Sequence, residues 1–159
     1  MVLVVVSANV LVQFPINDWL TWGAATYPIS FLITDIANRF HGAAVARRVL
    51  YAGFCIAVVL SLYFATVRIA LASGTAFLIA QLLDVQVFDR LRNSVWWKAP
   101  LISSLIGSAV DTALFFTIAF YATTVPWITL AIGDFSVKIA LALLMLIPFS
   151  VANRTYRKE

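Results

Sequence analysis

The chain has 159 residues, 63% hydrophobic and 11% charged, with a net charge of +4 and a mean hydropathy of +0.98. Soluble domains carry about 25% charged residues, so this chain cannot cover itself with a water-facing surface and is expected to be one domain, residues 1–159, in a lipid bilayer. The positive balance does not imply nucleic acid, because basic residues of membrane proteins gather at the cytoplasmic ends of helices.

A crossing helix needs about 20 mostly apolar residues, and six stretches qualify: 2–14, 20–38, 46–65, 67–88, 99–121 and 128–151. The first is short and starts almost at Met1. It lacks the basic start and small-residue cleavage site of a signal peptide, and the natural protein is expected to begin earlier. "FPIND" (14–18) breaks the chain at Pro15 before the second helix. "RFHGAAVARR" (39–48) reads as a basic connection holding Gly42. "LYFATVR" (62–68) joins the third and fourth helices. "RLRNSVWWKAP" (90–100) is basic, carries two tryptophans suited to an interface and ends at Pro100. "TTVP" (123–126) turns into the last helix. Cys55 is the sole cysteine, so no intrachain disulfide forms; its apolar run predicts a small buried hydrophobe.

Basic residues set the orientation. Arg39, Arg47, Arg48, Arg90, Arg92, Lys98, Arg154, Arg157 and Lys158 fall on one face of a six-span arrangement, nine of the eleven Lys and Arg residues. Arg68 falls on the other face, and Lys138 within the membrane. Both termini are therefore expected in the cytoplasm.

Ionisable groups in hydrocarbon are expensive unless they face a bundle interior, a partner or water. The first helix holds Asn9 and Gln13, the second Asp35 and Asn38, the fourth Gln81 and Asp84. The fifth holds Asp111, near its middle, and the sixth Asp134 and Lys138. Helical spacing groups them. Ser73, Phe77, Gln81, Asp84 and Phe88 line one stripe of the fourth helix, and Ser104, Ser108, Asp111 and Phe115 one stripe of the fifth. Ser103 with Gly107, and Ser104 with Ser108, are small-xxx-small pairs that let helices approach closely. Asp134 and Lys138 stand four apart, able to neutralise each other. Structural readings stand beside functional ones: Asp134–Lys138 as an ion pair at a helix end, Asp35 as a border partner of Arg39, Asp89–Arg92 as a solvated pair, Asp111 as a brace to a neighbouring helix. His41 is read as solvated.

One histidine and one cysteine cannot make a histidine- or thiolate-rich metal site. No GxSxG, HExxH or Walker loop occurs, and no cofactor is expected. Aromatic and polar stripes facing inward suit a flat, polar, small ligand.

"TWGAATYPISFLITDIANRFHGAAVARR" (21–48), "RIALASGTAFLIAQLLDVQVFDRLR" (68–92), "WWKAPLISSLIGSAVDTALFFTIAF" (96–120) and "GDFSVKIALALLMLIPF" (133–149) closely resemble the bacterial queuosine-precursor transporters of the VUT family. The resemblance covers nearly the whole chain. It departs in the few residues before the first helix and in the short 62–68 connection. It implies an all-α integral membrane protein of six transmembrane helices, resembling the substrate-binding components of energy-coupling-factor importers but working without their ATPase partners. It implies import across the bacterial inner membrane of 7-cyano-7-deazaguanine, 7-aminomethyl-7-deazaguanine and, in some members, queuine. Asp35, Gln81, Asp84, Asp111, Asp134 and Lys138 all lie inside these blocks. A carboxylate such as Asp111 can accept both N1–H and N2–H of a 7-deazaguanine, and Gln81 can serve O6 or the amino group. Phe77, Phe115, Trp22 and Tyr27 are candidates for stacking.

Three functions are thus in play. The first is a secondary transporter of a 7-deazapurine, coupled to protons through an intramembrane carboxylate. The second is a binding subunit that docks an energy-coupling ATPase; such subunits present Ala-xxx-Ala on the first helix, whereas here Val12 follows Ala8. The third is a small intramembrane enzyme. The short first helix also leaves an edge that a second copy, in a homodimer, could cover.

Overall fold

The computed structural model describes residues 2–11, 13–25 and 27–156. Arg157 and Lys158, two of the basic residues used for orientation, lie outside them, as do the side chains of Asn9 and Tyr27. Six α-helices carry most of the described chain: α1 (Val2–Leu11), α2 (Tyr27–His41), α3 (Ala43–Phe64), α4 (Val67–Leu91), α5 (Lys98–Phe120) and α6 (Trp127–Tyr156). Between α1 and α2 lie a small antiparallel hairpin, β1 (Pro15–Asn17) with β2 (Leu20–Thr21), and a 3-10 turn, Trp22–Ala25.

Among the described residues, four helices are long and apolar enough to cross a membrane: Ala43–Phe64, Val67–Leu91, Lys98–Phe120 and Trp127–Thr155. At 1.5 Å per residue, α1 and α2 are only about 15 and 22 Å long, less than the roughly 30 Å of hydrocarbon. The bundle is inverted relative to a soluble domain. Ile56, Val59, Leu62, Leu143, Leu144 and Ile147 face outward, while Asp35, Gln81, Asp84, Asp111, Asp134 and Lys138 are buried.

Several boundaries differ from the sequence expectation, each for a local reason. The second helix starts at Tyr27 rather than near residue 20, because residues 15–21 form the hairpin. Asn17 Oδ1 accepts the Trp19 N–H at 2.9 Å, a side chain-to-backbone bond that competes with helix. Pro28, in the first turn of α2, lacks an N–H where none is needed. The 39–48 connection contracts to Gly42 alone. Its φ of +84° suits glycine, and its N–H closes on Asn38 O at 2.9 Å, ending α2 before α3 begins. Cys55 is exposed on α3 rather than buried, on the outward face that also carries the exposed Tyr51, Ile56 and Val59. Trp22 also faces outward, 59% exposed.

α4 and α5 pack more extensively on each other than any other pair of elements. Their buried contact faces are small: Ala72, Ser73, Ala76 and Ala80 on α4, Ser103, Ser104, Gly107 and Ser108 on α5. A Cβ on Gly107 would lie 3.3 Å from Ala80 O and 2.7 Å from Phe31 Cε1, so glycine here admits both α4 and the ring from α2. Arg68, alone on its face, caps α5 by donating to Ile118 O at 3.1 Å and Tyr121 O at 2.6 Å. At the basic end Arg39 donates to Arg92 O at 2.6 Å and Asn153 Oδ1 at 3.0 Å, and Arg92 donates back to Arg39 O at 3.0 Å. Asp89 and Arg92 form the expected exposed pair, at 3.9 Å.

Candidate functional site

The carboxylate that interrupts α5 meets a cation from α6. Lys138 Nζ lies 2.8 Å from Asp111 Oδ2 and 2.6 Å from Asp134 Oδ2, and donates to Thr112 Oγ1 at 3.1 Å. Thr112 in turn donates to Asp134 Oδ2 at 2.7 Å. The ammonium has three donors and finds three acceptors. The cluster is buried, with Lys138 3% exposed. Spacing on α6 indicated Asp134–Lys138; the tie to Asp111 comes from packing α6 on α5.

One turn or two toward the basic end lies a second polar layer. Asp35 on α2 and Asp84 on α4 are both buried in the α2–α4 seam, which the Thr34–Gln81 and Asn38–Val85 bonds fasten on either side. Ser103 Oγ is 3.5 Å from Asp35 Oδ1 and Ser104 Oγ 3.4 Å from Asp35 Oδ2. Asp35 therefore reaches across to α4 and α5, whereas Arg39 engages Asn153 and Arg92.

Gln81 is held at both ends of its amide. It donates to Ser30 Oγ at 3.0 Å and accepts from Thr34 Oγ1 at 2.8 Å, which clamps α4 to α2. Asn38 adds a bond from Nδ2 to Val85 O at 3.0 Å. Ser30, Thr34 and Asn38 step by four on α2, and Ser104, Ser108 and Thr112 step by four on α5. That spacing was the signal for Ser30, Thr34 and Thr112, which the search for charged residues passed over.

Between α2, α5 and α6 lies a narrow slot of about 10 Å³, room for about one water. Phe31, Asp35, Ser104, Ser108, Lys138 and Met145 line it. It stands between two open clefts at opposite ends of the bundle. One, about 630 Å³, is lined by Gln13, Asp18, Thr21, Phe120 and Leu130; the other, about 660 Å³, by Arg39, Phe40, Trp96 and Asn153. The hairpin covers the first end. A Cβ on Gly133 would overlap Trp19 O, so β1–β2 can seat on α6 only over glycine. Thr129 Oγ1 fastens it to Asp18 O at 2.8 Å.

The remaining sequence candidates lie apart from this slot. Phe77 stacks on Phe54, centroids 6.2 Å apart, in a core with Leu50 and Ala57. Phe115 packs with Phe116, Ala72 and Leu130. Gln13 bonds Phe64 O at 3.4 Å beside the outer cleft. Asn9 lies on α1 and Tyr27 opens α2, both with side chains outside the described residues.

Residues 21–67 and 62–152 match the family described as "Putative vitamin uptake transporter". The chain belongs to this VUT family. The family's members are transporters rather than enzymes, and with its apolar helices this VUT chain is a multi-pass membrane protein. It is 35% identical to the "Queuosine precursor transporter" of Escherichia coli K12 over 175 residues, covering 92% of this chain and 79% of that one. It is 32% identical to the "Probable queuosine precursor transporter" of Haemophilus influenzae, covering 92% and 80%. A Bacillus subtilis protein described in the same words is 27% identical, covering 84% and 71%. No solved structure matches the chain.

Proposed function

We propose that this VUT protein is a secondary transporter that imports queuosine precursors across the bacterial inner membrane, without an ATPase subunit. Its substrates are 7-cyano-7-deazaguanine, 7-aminomethyl-7-deazaguanine and queuine. All six helices lie across the bilayer, α1 and α2 as short spans, with both termini cytoplasmic. The observation that carries the reading is a narrow slot, with Asp35, Ser104, Ser108 and Lys138 in its wall, between two open end clefts. That is the form of an occluded carrier, with its site at mid-membrane and a passage on either side.

Chemistry supports the substrate class. The edge of a 7-deazaguanine offers one acceptor, O6, beside two donors, N1–H and N2–H. Lys138 and Asp111 place a cation donor beside a carboxylate acceptor, 2.8 Å apart. Inserted between them, the edge exchanges the ion pair for charge-assisted bonds of the same kind: Lys138 to O6, Asp111 from N1–H and N2–H. Asp134 and Thr112 hold Lys138 in place meanwhile, and Ser104, Ser108 and Phe31 line the flank of the base. The slot is too small for a purine as it stands, so α2 or α6 must move outward on loading. Gradients rather than ATP drive the cycle, with protons as the coupled ion.

The test is uptake of labelled 7-deazaguanines into cells that can neither make nor otherwise import them. Expression of the protein should restore uptake of the 7-cyano or 7-aminomethyl compound. The purified protein should bind these more tightly than guanine. Equal affinity for all three, with no uptake, would overturn the reading.

A further inference from the structure

Buried charge does not balance in this bundle. Among the described residues, four carboxylates are buried, Asp35, Asp84, Asp111 and Asp134, against one cation, Lys138. Lys138 belongs to Asp111 and Asp134. Asp84 is wholly enclosed, and neither of its carboxylate oxygens receives a hydrogen bond among the described residues. Across the α2–α4 seam, flanked by the Thr34–Gln81 and Asn38–Val85 bonds, stands the buried Asp35, and the Ser103 hydroxyl beside it is directed at Asp35 Oδ1 and Pro100 O. Two carboxylates pressed together in a water-poor interior cannot both stay charged. A shared proton removes the repulsion and makes one carboxyl a donor to the other, satisfying the oxygens that otherwise stand bare.

We infer that the Asp35–Asp84 pair is the proton-coupling site of this transporter, separate from the Lys138–Asp111 contact that reads the substrate. The inference rests on the precursor-transport reading. The pair holds one proton in the closed state seen here and none when open to the lower-proton side. The proton enters and leaves by the same clefts as the substrate, and no covalent bond changes.

Location supplies the coupling. Asp35 lines the slot opposite Lys138, so substrate entry and proton loss bear on the same wall of α2. The groups around the pair are Gln81 on α4, tied to Ser30 and Thr34, Ser103 and Ser104 on α5, and Lys138 on α6. α3 turns Arg47, Arg48, Tyr51 and Cys55 outward. An unprotonated pair repels itself and pushes α2 from α4; a protonated pair draws them together.

Purified protein in vesicles clamped at zero membrane potential tests this with labelled 7-cyano-7-deazaguanine, which is uncharged. With one proton per substrate, a one-unit acid-outside gradient should drive about tenfold accumulation. Asp84→Asn should lose that accumulation yet still exchange labelled for unlabelled substrate, and Asp35→Asn should behave alike. Infrared spectra of the wild type at neutral pH should show a protonated-carboxyl stretch, needing no variant to fold. Its absence overturns the assignment. So does accumulation by Asp84→Asn equal to wild type, accumulation by the wild type that ignores the pH gradient, or accumulation driven by a sodium gradient alone. If the wild type does not exchange the compound at all, the precursor reading falls and this inference falls with it.

Discussion

Lys138 Nζ stands 2.8 Å from Asp111 Oδ2, joining α6 to α5 across 27 residues of sequence. The contact lies near the middle of both helices, where neither side chain can reach water. It fastens α6 to α5 and, in the proposed transport reading, also supplies the donor and acceptor for a purine edge. Structural and binding roles can be separated by substitution.

Asp111→Asn should fold, because Lys138 keeps Asp134 and Thr112. The amide offers one acceptor oxygen where the carboxylate offers two. Loss of one charge-assisted bond lowers affinity by about one to two decades, roughly 1.5–3 kcal/mol. Calorimetric titration with 7-aminomethyl-7-deazaguanine measures it. Normal affinity with a lowered melting temperature would instead make Asp111 a brace alone.

Lys138→Met should be far worse for stability. It leaves Asp111 and Asp134 buried together without a cation, and breaking a buried pair by removing one partner costs about 3–5 kcal/mol. Adding Asp111→Asn to it should recover part of the loss. Yields and melting temperatures of the two singles and the double complete the cycle, and strictly additive losses would show that the two side chains are not coupled.

Gln81→Leu should affect stability more than recognition. Ser30 and Thr34 would lose their partner, at a cost of about 1–3 kcal/mol for buried groups left unpaired. Melting temperature should fall while substrate affinity in the folded fraction stays near wild type. A selective loss of affinity would return Gln81 to the binding site.

Gly133→Ala should unseat the hairpin, since a methyl group cannot share space with the Trp19 carbonyl. Amide hydrogen exchange should accelerate in residues 13–25 while α4 and α5 stay protected. Unchanged protection of the hairpin would mean that it docks without this notch.

Topology is open to a direct check. In a Cys55→Ser background, a thiol at Thr124 should react with an impermeant reagent added to intact cells, and one at Asn93 should not, because the basic residues cluster at the Asn93 end. The reverse pattern would invert the orientation.

Composition and hydropathy alone determined that this chain belongs in a membrane. Continuous apolar runs located α3, α4, α5 and α6 to within a few residues. Helical spacing identified the buried stripes, because side chains three and four apart share a face whatever surrounds them. The sequence also marked Asp35, Asp84, Asp111, Asp134 and Lys138 as costly, since short charged side chains in an apolar run need a partner. It named Lys138 as the partner of Asp134 on the same helix, but not the partners that other helices supply. Periodicity says which residues share a face, not which neighbouring helix that face meets. Only packing set Lys138 against Asp111, turned Asp35 from Arg39 toward Ser103 and Ser104, closed the Gln81 amide on Ser30 and Thr34, and sent Phe77 into the α3 contact. The second helix was expected to start at residue 20, inside the hairpin, because that hairpin depends on a distant cause. Glycine at 133 leaves a notch on α6, and only the folded bundle brings Trp19 to it.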